Sequence, residues 1–123
     1  MRTAVSVPLP PMPEAFHEAV KVILTNDKFK EIHYKNPEKQ DEVVWKRGDG
    51  YIVVAQYIKL DYQQNQLVIS GWVRSGSIII SFPERSLDGF YGFAVKDSTK
   101  KTIDKIVALA QQGQNLPNGQ QAQ

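Results

Sequence analysis

The sequence predicts an α+β fold: an N-terminal helix, an antiparallel meander sheet of four to five strands, and a C-terminal helix. Both helices lie on one face of the sheet. Three observations carry this. Apolar residues recur at helical spacing near either end of the chain, side chains alternate with period two between them, and the connections are short and rich in turn-forming residues. Each helix has one apolar stripe and the sheet one apolar face, which makes a two-layer sandwich the simplest way to bury all three.

Residues 1–12 read as an extended, Pro-rich lead-in. Pro8, Pro10 and Pro11 fix φ and remove donors, favouring polyproline II. Pro13 suits the first turn of a helix, and Glu14 lies at the positive end of its dipole. From Pro13 to about Asn26, Phe16, Ala19, Val20, Ile23 and Leu24 form one stripe, opposite Glu14, His17, Glu18 and Lys21. Asn26-Asp27 ends this helix.

Alternation begins at Lys28 and runs through Ile32, His33 and Tyr34 to Lys35, followed by a turn over residues 36–41. A second strand spans Glu42 to about Arg47, and Gly48-Asp49-Gly50 makes a turn in which glycine supplies positive φ. A third strand runs from Tyr51 to Asp61, and a fourth from Leu67 to Arg74. With Gln64-Asn65 at the centre of their hairpin, Leu60 pairs with Ile69, Ile58 with Gly71, Tyr57 with Trp72, Lys59 with Ser70 and Ala55 with Arg74. A slip of one residue would split the apolar sets between the two faces, so burial selects this register.

Ser75-Gly76-Ser77 is a turn, Ile78 to Phe82 a short apolar strand, and residues 83–91 irregular, with Phe90, Phe93 and Val95 tucked in as a loop or short strand. The second helix is expected from about Ser98, as N-cap, to Gln112, with Ile103, Ile106, Val107 and Ala110 as its stripe and Gly113 as its stop. The division is thus lead-in 1–12, one α+β domain over 13–112, and a disordered polar tail over 113–123.

The chain has 123 residues, fitting a single domain, and its 41% apolar content supports one core. Fifteen basic and thirteen acidic side chains give a net charge of +2, too weak to point to a polyanion. With no cysteine, disulfides, thiolate zinc sites and cysteine nucleophiles are excluded. Prolines interrupt the early apolar run, so no signal peptide is expected, and no segment reaches the length of a membrane span. These features lead to the expectation of a soluble, cytoplasmic protein.

Catalytic signals are sparse. His17 and His33 lack the spacing of a metal site, Asp49 sits in a strand-joining turn without a phosphate-loop context, and no serine stands in a nucleophile motif. No catalytic residue, metal or cofactor is expected. The outer face of the sheet is more informative. The register puts Tyr57, Lys59, Trp72 and Arg74 together on the side away from the helices, and Trp45 and Arg47 are expected to extend it. Such a face can anchor a protein partner. It can stack bases and hold phosphates. It can also be a cross-strand pair that stabilises the sheet, covered by the lead-in, by residues 83–95 or by a second copy.

WKRGDGYIVVAQYIKLDYQQNQLVISGWVR followed by LDGFYGFAVKDSTKKTIDKIVAL resembles a family of uncharacterised bacterial α+β domains. In that family a glycine-bounded strand leads to Ile-Lys, then a hairpin ending in Trp, then an LDGF-like segment before the final helix. The matching positions are Gly48, Gly50, Ile58, Lys59, Trp72, Leu87 to Phe90 and Lys101. The resemblance implies a bacterial origin and brings no activity or ligand; zinc-ribbon and membrane segments found in some members have no counterpart in this sequence. The combined expectation is a non-enzymatic protein-interaction or accessory module, with a protein partner or self-association through the sheet face or edge. The alternative is a small-ligand or single-stranded nucleic-acid binder using the Tyr57, Lys59, Trp72 and Arg74 face.

Overall fold

In the computed structural model the described residues are 2–48, 54–75, 83–88 and 93–115. The element order is β1 (Thr3–Pro8), α1 (Pro13–Asn26), β2 (Lys30–Lys35), β3 (Asp41–Arg47), β4 (Ala55–Tyr62), β5 (Gln66–Arg74) and α2 (Phe93–Asn115). The strands form one antiparallel sheet in the order β1-β5-β4-β3-β2. β2 to β5 are the expected meander. Leu60↔Ile69, Ile58↔Gly71, Tyr57↔Trp72, Lys59↔Ser70 and Ala55↔Arg74 all pair as burial demands.

The lead-in departs from expectation. Thr3–Pro8 is not a free polyproline segment but an edge strand, paired with β5 from Thr3↔Gly71 to Pro8↔Gln66. The Leu9 amide donates to the Asn65 carbonyl at 3.1 Å, in the same register. Bonding alternates along an antiparallel ladder, so odd-numbered residues bond β5 and Ala4, Ser6 and Pro8 point away. Pro8 therefore sits where the missing N–H costs no ladder bond.

Both helices pack on the inner face. Phe16, Val20 and Leu24 of α1, Ile103, Ile106 and Ala110 of α2, and Val7, Trp45, Ile58, Leu67, Ile69 and Val73 of the sheet share one core. α1 ends in a Schellman motif. The Lys28 amide donates to the Thr25 carbonyl and that of Phe29 to Leu24, with Lys28 left-handed at φ 74°. Gly48 has φ 89°, the positive value expected of its turn.

α2 starts earlier and ends later than its hydropathy suggests. It begins at Phe93, so Ser98 is not the N-cap but lies within the helix, and Phe93 and Val95 are helical rather than loop or strand. Its buried face continues toward the N-terminus through Thr102, Thr99 and Lys96, polar residues that conceal the stripe. Thr99 satisfies its hydroxyl on the Val95 carbonyl at 2.9 Å. Gly113 does not stop the helix: a Cβ there would lie 3.0 Å from Pro10 Cβ, so close approach of the lead-in accounts for the glycine. Residues 113–115 of the expected tail are thus helical, and residues 116–123 lie outside the described residues. The strand expected over Ile78 to Phe82, Asp49-Gly50, residues 51–53 of the third strand, and Phe90 lie outside the described residues.

Candidate functional site

The structure brings Tyr57, Lys59, Trp72 and Arg74 together on the outer face, and encloses the two aromatic rings. Trp72 is 0% and Tyr57 6% exposed, in a second cluster with Tyr34, Val44 and Ala55. Tyr57 and Trp72 stack across the ladder with centroids 5.5 Å apart and planes 14° from parallel. Tyr34 closes over both, its centroid 4.6 Å from Tyr57 and 5.7 Å from Trp72.

The cover over Trp72 comes from the lead-in. By continuation of the β1–β5 register, Arg2 stands opposite Trp72 on the outer face. Its guanidinium carbon lies 3.6 Å from the centroid of the indole ring. Two carboxylates grip the same group. Glu84 accepts from Arg2 Nε and Nη2, each at 2.8 Å, and Glu42 from Nη1 at 3.0 Å and Nη2 at 2.7 Å. Both are therefore bidentate forks.

The carboxylates are held in turn by other elements. Glu42 also accepts from Lys59 Nζ at 2.7 Å and from Asn36 Nδ2 at 2.9 Å. Glu84 accepts the Tyr34 hydroxyl proton at 2.7 Å. The Tyr34 oxygen receives Arg74 Nη1 at 3.0 Å and, more weakly, Trp72 Nε1 at 3.4 Å, so both its lone pairs are used. Glu84 reaches the face because Arg85 pairs with Val73, extending the β5 edge beyond Thr3. Leu87 then ties back through its amide to Thr3 Oγ1 at 2.9 Å.

These contacts shift the titrating groups as expected. The Arg2 hydrogen bonds, opposed by burial and reinforced by Lys59 and Asn36, hold Glu42 at about 2. Burial would raise Glu84, but hydrogen bonds from Arg2 and Tyr34 bring it below the usual carboxylate range. Burial, then the bond to Glu84, pushes Tyr34 up to about 12.

Trp45 and Arg47 do not extend this face. Trp45 pairs with Ile58 and points into the inner core. Arg47 shares its side: the guanidinium carbon is 4.4 Å from the Phe29 ring centroid, with Nε donating to Gln56 Oε1 at 2.6 Å and Nη1 to the Asp27 carbonyl at 2.9 Å. Strand alternation could not decide their side, because the pairing of β3 with β4 depends on the length of the connection between them. Sequence reasoning also missed Arg2, Tyr34, Glu42 and Glu84. The available signal was the alternation of Val5, Val7 and Leu9, which marks a strand and places Arg2 on the Trp72 side.

The histidines lie apart from the cluster. His17 shares a hydrogen bond with Tyr62, and His33 is exposed on β2. Among the described residues no group of three or more His, Asp or Glu is placed to hold a metal ion, and no helix is long and apolar enough to cross a membrane. A cleft of about 410 Å³ is lined by Ser6, Val7 and Pro8 and by residues 63–66 of the neighbouring hairpin, without a charged group. No protein-family model, curated protein or solved structure matches the chain.

Proposed function

We propose that the protein is a non-enzymatic interaction module whose working surface is the β1 edge, and that the occupant of that edge is a second copy of the chain. The observation that carries this reading is an uncharged, unpaired strand edge. β1 is terminal in the sheet, Ala4, Val5 and Ser6 are exposed, and the outward N–H and C=O groups of Ala4 and Ser6 have no partner among the described residues. An open edge of this kind is a template for strand addition.

The two edges differ in charge. The opposite edge strand, β2, exposes Lys30, Glu31, His33 and Lys35, the charged composition that blunts edges against pairing. β1 contains no charge from Thr3 to Pro8 that would blunt its edge in this way. With the two-fold axis at Val5, Ala4 and Ser6 of opposite copies exchange both their bonds, and the two Val5 side chains meet. Pro8, lacking a donor, limits the ladder at its end. Enclosure of Trp72 and Tyr57 leaves no open ring for bases to stack on, and the charges around them largely neutralise one another, so the outer face favours neither nucleic-acid binding nor catalysis.

The test is the molar mass of the wild type and Val5→Lys by equilibrium sedimentation between micromolar and millimolar concentrations. The wild type should be a concentration-dependent dimer and Val5→Lys a monomer, because two lysines would face each other at the axis. A monomeric wild type throughout, or an unchanged dimer in the variant, overturns the reading.

A further inference from the structure

Arg2 and the groups that hold it belong to different parts of the fold. Trp72 is on β5, Tyr57 and Lys59 on β4, Glu42 on β3, Tyr34 on β2, and Glu84 in the segment that pairs with Val73. β1 contributes nothing to this surround except the guanidinium itself. The surround is also braced without it, since Lys59 and Asn36 hold Glu42, and Tyr34 holds Glu84. Arg2, by contrast, stands at the head of an edge strand, where chains open most readily.

The geometry is selective for a planar cation. One flat face is stacked at 3.6 Å, and two carboxylates engage two different edges of the plane. Four of the five donor N–H groups of an arginine are thereby used. An ammonium ion could satisfy the charge but not both forks or the stack. Glu42 and Glu84 are only 10% and 8% exposed at their side chains, so solvent screens their attraction for the guanidinium little.

We propose that this surround is a guanidinium-binding site, that Arg2 is its resident ligand, and that it accepts an arginine side chain supplied in trans when Arg2 is withdrawn. The inference concerns the outer face and stands independently of pairing at the β1 edge.

The probe is N-methylguanidinium, titrated at low millimolar concentration into full-length Arg2→Ala, with methylammonium at equal ionic strength as the control. The readout is the Trp72 indole N–H resonance, assigned with Trp45→Phe, together with the melting temperature. Arg2→Ala should show a saturable indole shift and a raised melting temperature with N-methylguanidinium, and roughly tenfold weaker binding or less with methylammonium. The wild type, its site filled, should show neither response. Adding Glu84→Gln should weaken the binding about tenfold or more, through loss of one charged fork. If Arg2→Ala is partly unfolded, the same titration should restore its sheet signal. No saturable response in Arg2→Ala, no restoration of an unfolded variant, or equal response to methylammonium overturns the proposal.

Discussion

Trp72 shows how far a single residue's environment can differ from its strand pattern. Alternation assigns it correctly to the side away from the helices, where solvent would be the ordinary neighbour. Its full burial comes from Arg2, seventy residues earlier in the chain and opposite it on β1, and from Tyr34, which closes over it from β2. The two readings of Trp72 have different consequences for stability. An open surface aromatic is replaced by alanine at a cost within about 0.5 kcal/mol. An enclosed one leaves a cavity, and Trp72→Ala should cost about 3–5 kcal/mol. Chemical denaturation of the variant measures this directly, and a loss below about 1 kcal/mol would show that the ring is not enclosed in solution. Lys59 and Arg74, from the same outer face, keep partial exposure and act through polar contacts, so their replacement should cost less.

At the scale of elements, the ends of α1 and α2 are governed by local chemistry that hydropathy does not record. α1 stops because Lys28 turns left-handed, letting Phe29 reach back to Leu24 and bury its ring in the core. A lysine in that conformation is strained relative to glycine. Lys28→Gly should therefore stabilise the protein by about 0.5–1 kcal/mol, provided the flexibility added to the unfolded chain does not offset the relief; a thermal melt checks the sign. The same limit explains which elements were legible. The α1 stripe and the β4–β5 register follow from apolar periodicity alone, because a shift of either would expose several large side chains. The start of α2 was concealed because Lys96, Thr99 and Thr102 occupy buried positions that a stripe normally fills with apolar residues. β1 was concealed because proline at Pro8 argues against a strand, an objection that fails at an outward-facing edge position. The candidate site was half legible for the same reason. Tyr57, Lys59, Trp72 and Arg74 follow from one hairpin, whereas Arg2, Glu42 and Glu84 join them only through the order of the whole sheet.

For the whole molecule, that order places β1 and β2 at opposite edges although only α1 separates them in sequence. On the inner face the apolar core joins the helices to β1, β3, β4 and β5 but includes no residue of β2, whose Glu31, His33 and Lys35 are exposed. Across the outer face the link is ionic: Arg2 on β1 binds Glu42 on β3 and Glu84, and Glu84 binds Tyr34 on β2. The two layers should respond differently to acid. Glu42 is held at about 2 against an ordinary value of 4.5, and Glu84 is also depressed. A carboxylate with a lowered folded-state value contributes stability that is fully present above its unfolded value and is lost as pH falls through the folded one. Stability should therefore hold above about pH 4.5 and decline from there toward pH 2, while the apolar layer is unaffected. Amide protection should decline first at Thr3, Val5 and Val7 and along β2, with β4 and β5 retaining theirs, because the edges lose their ionic link while the central ladder remains paired on both sides. In Arg2→Ala the decline should be shallower, though not abolished, since Asp27 is depressed as well, its burial outweighed by Lys105 and Thr102. Hydrogen exchange at a series of pH values, corrected to protection factors, distinguishes this from a uniform loss of structure. Simultaneous loss across all five strands in both proteins would mean that the outer layer does not couple the edges.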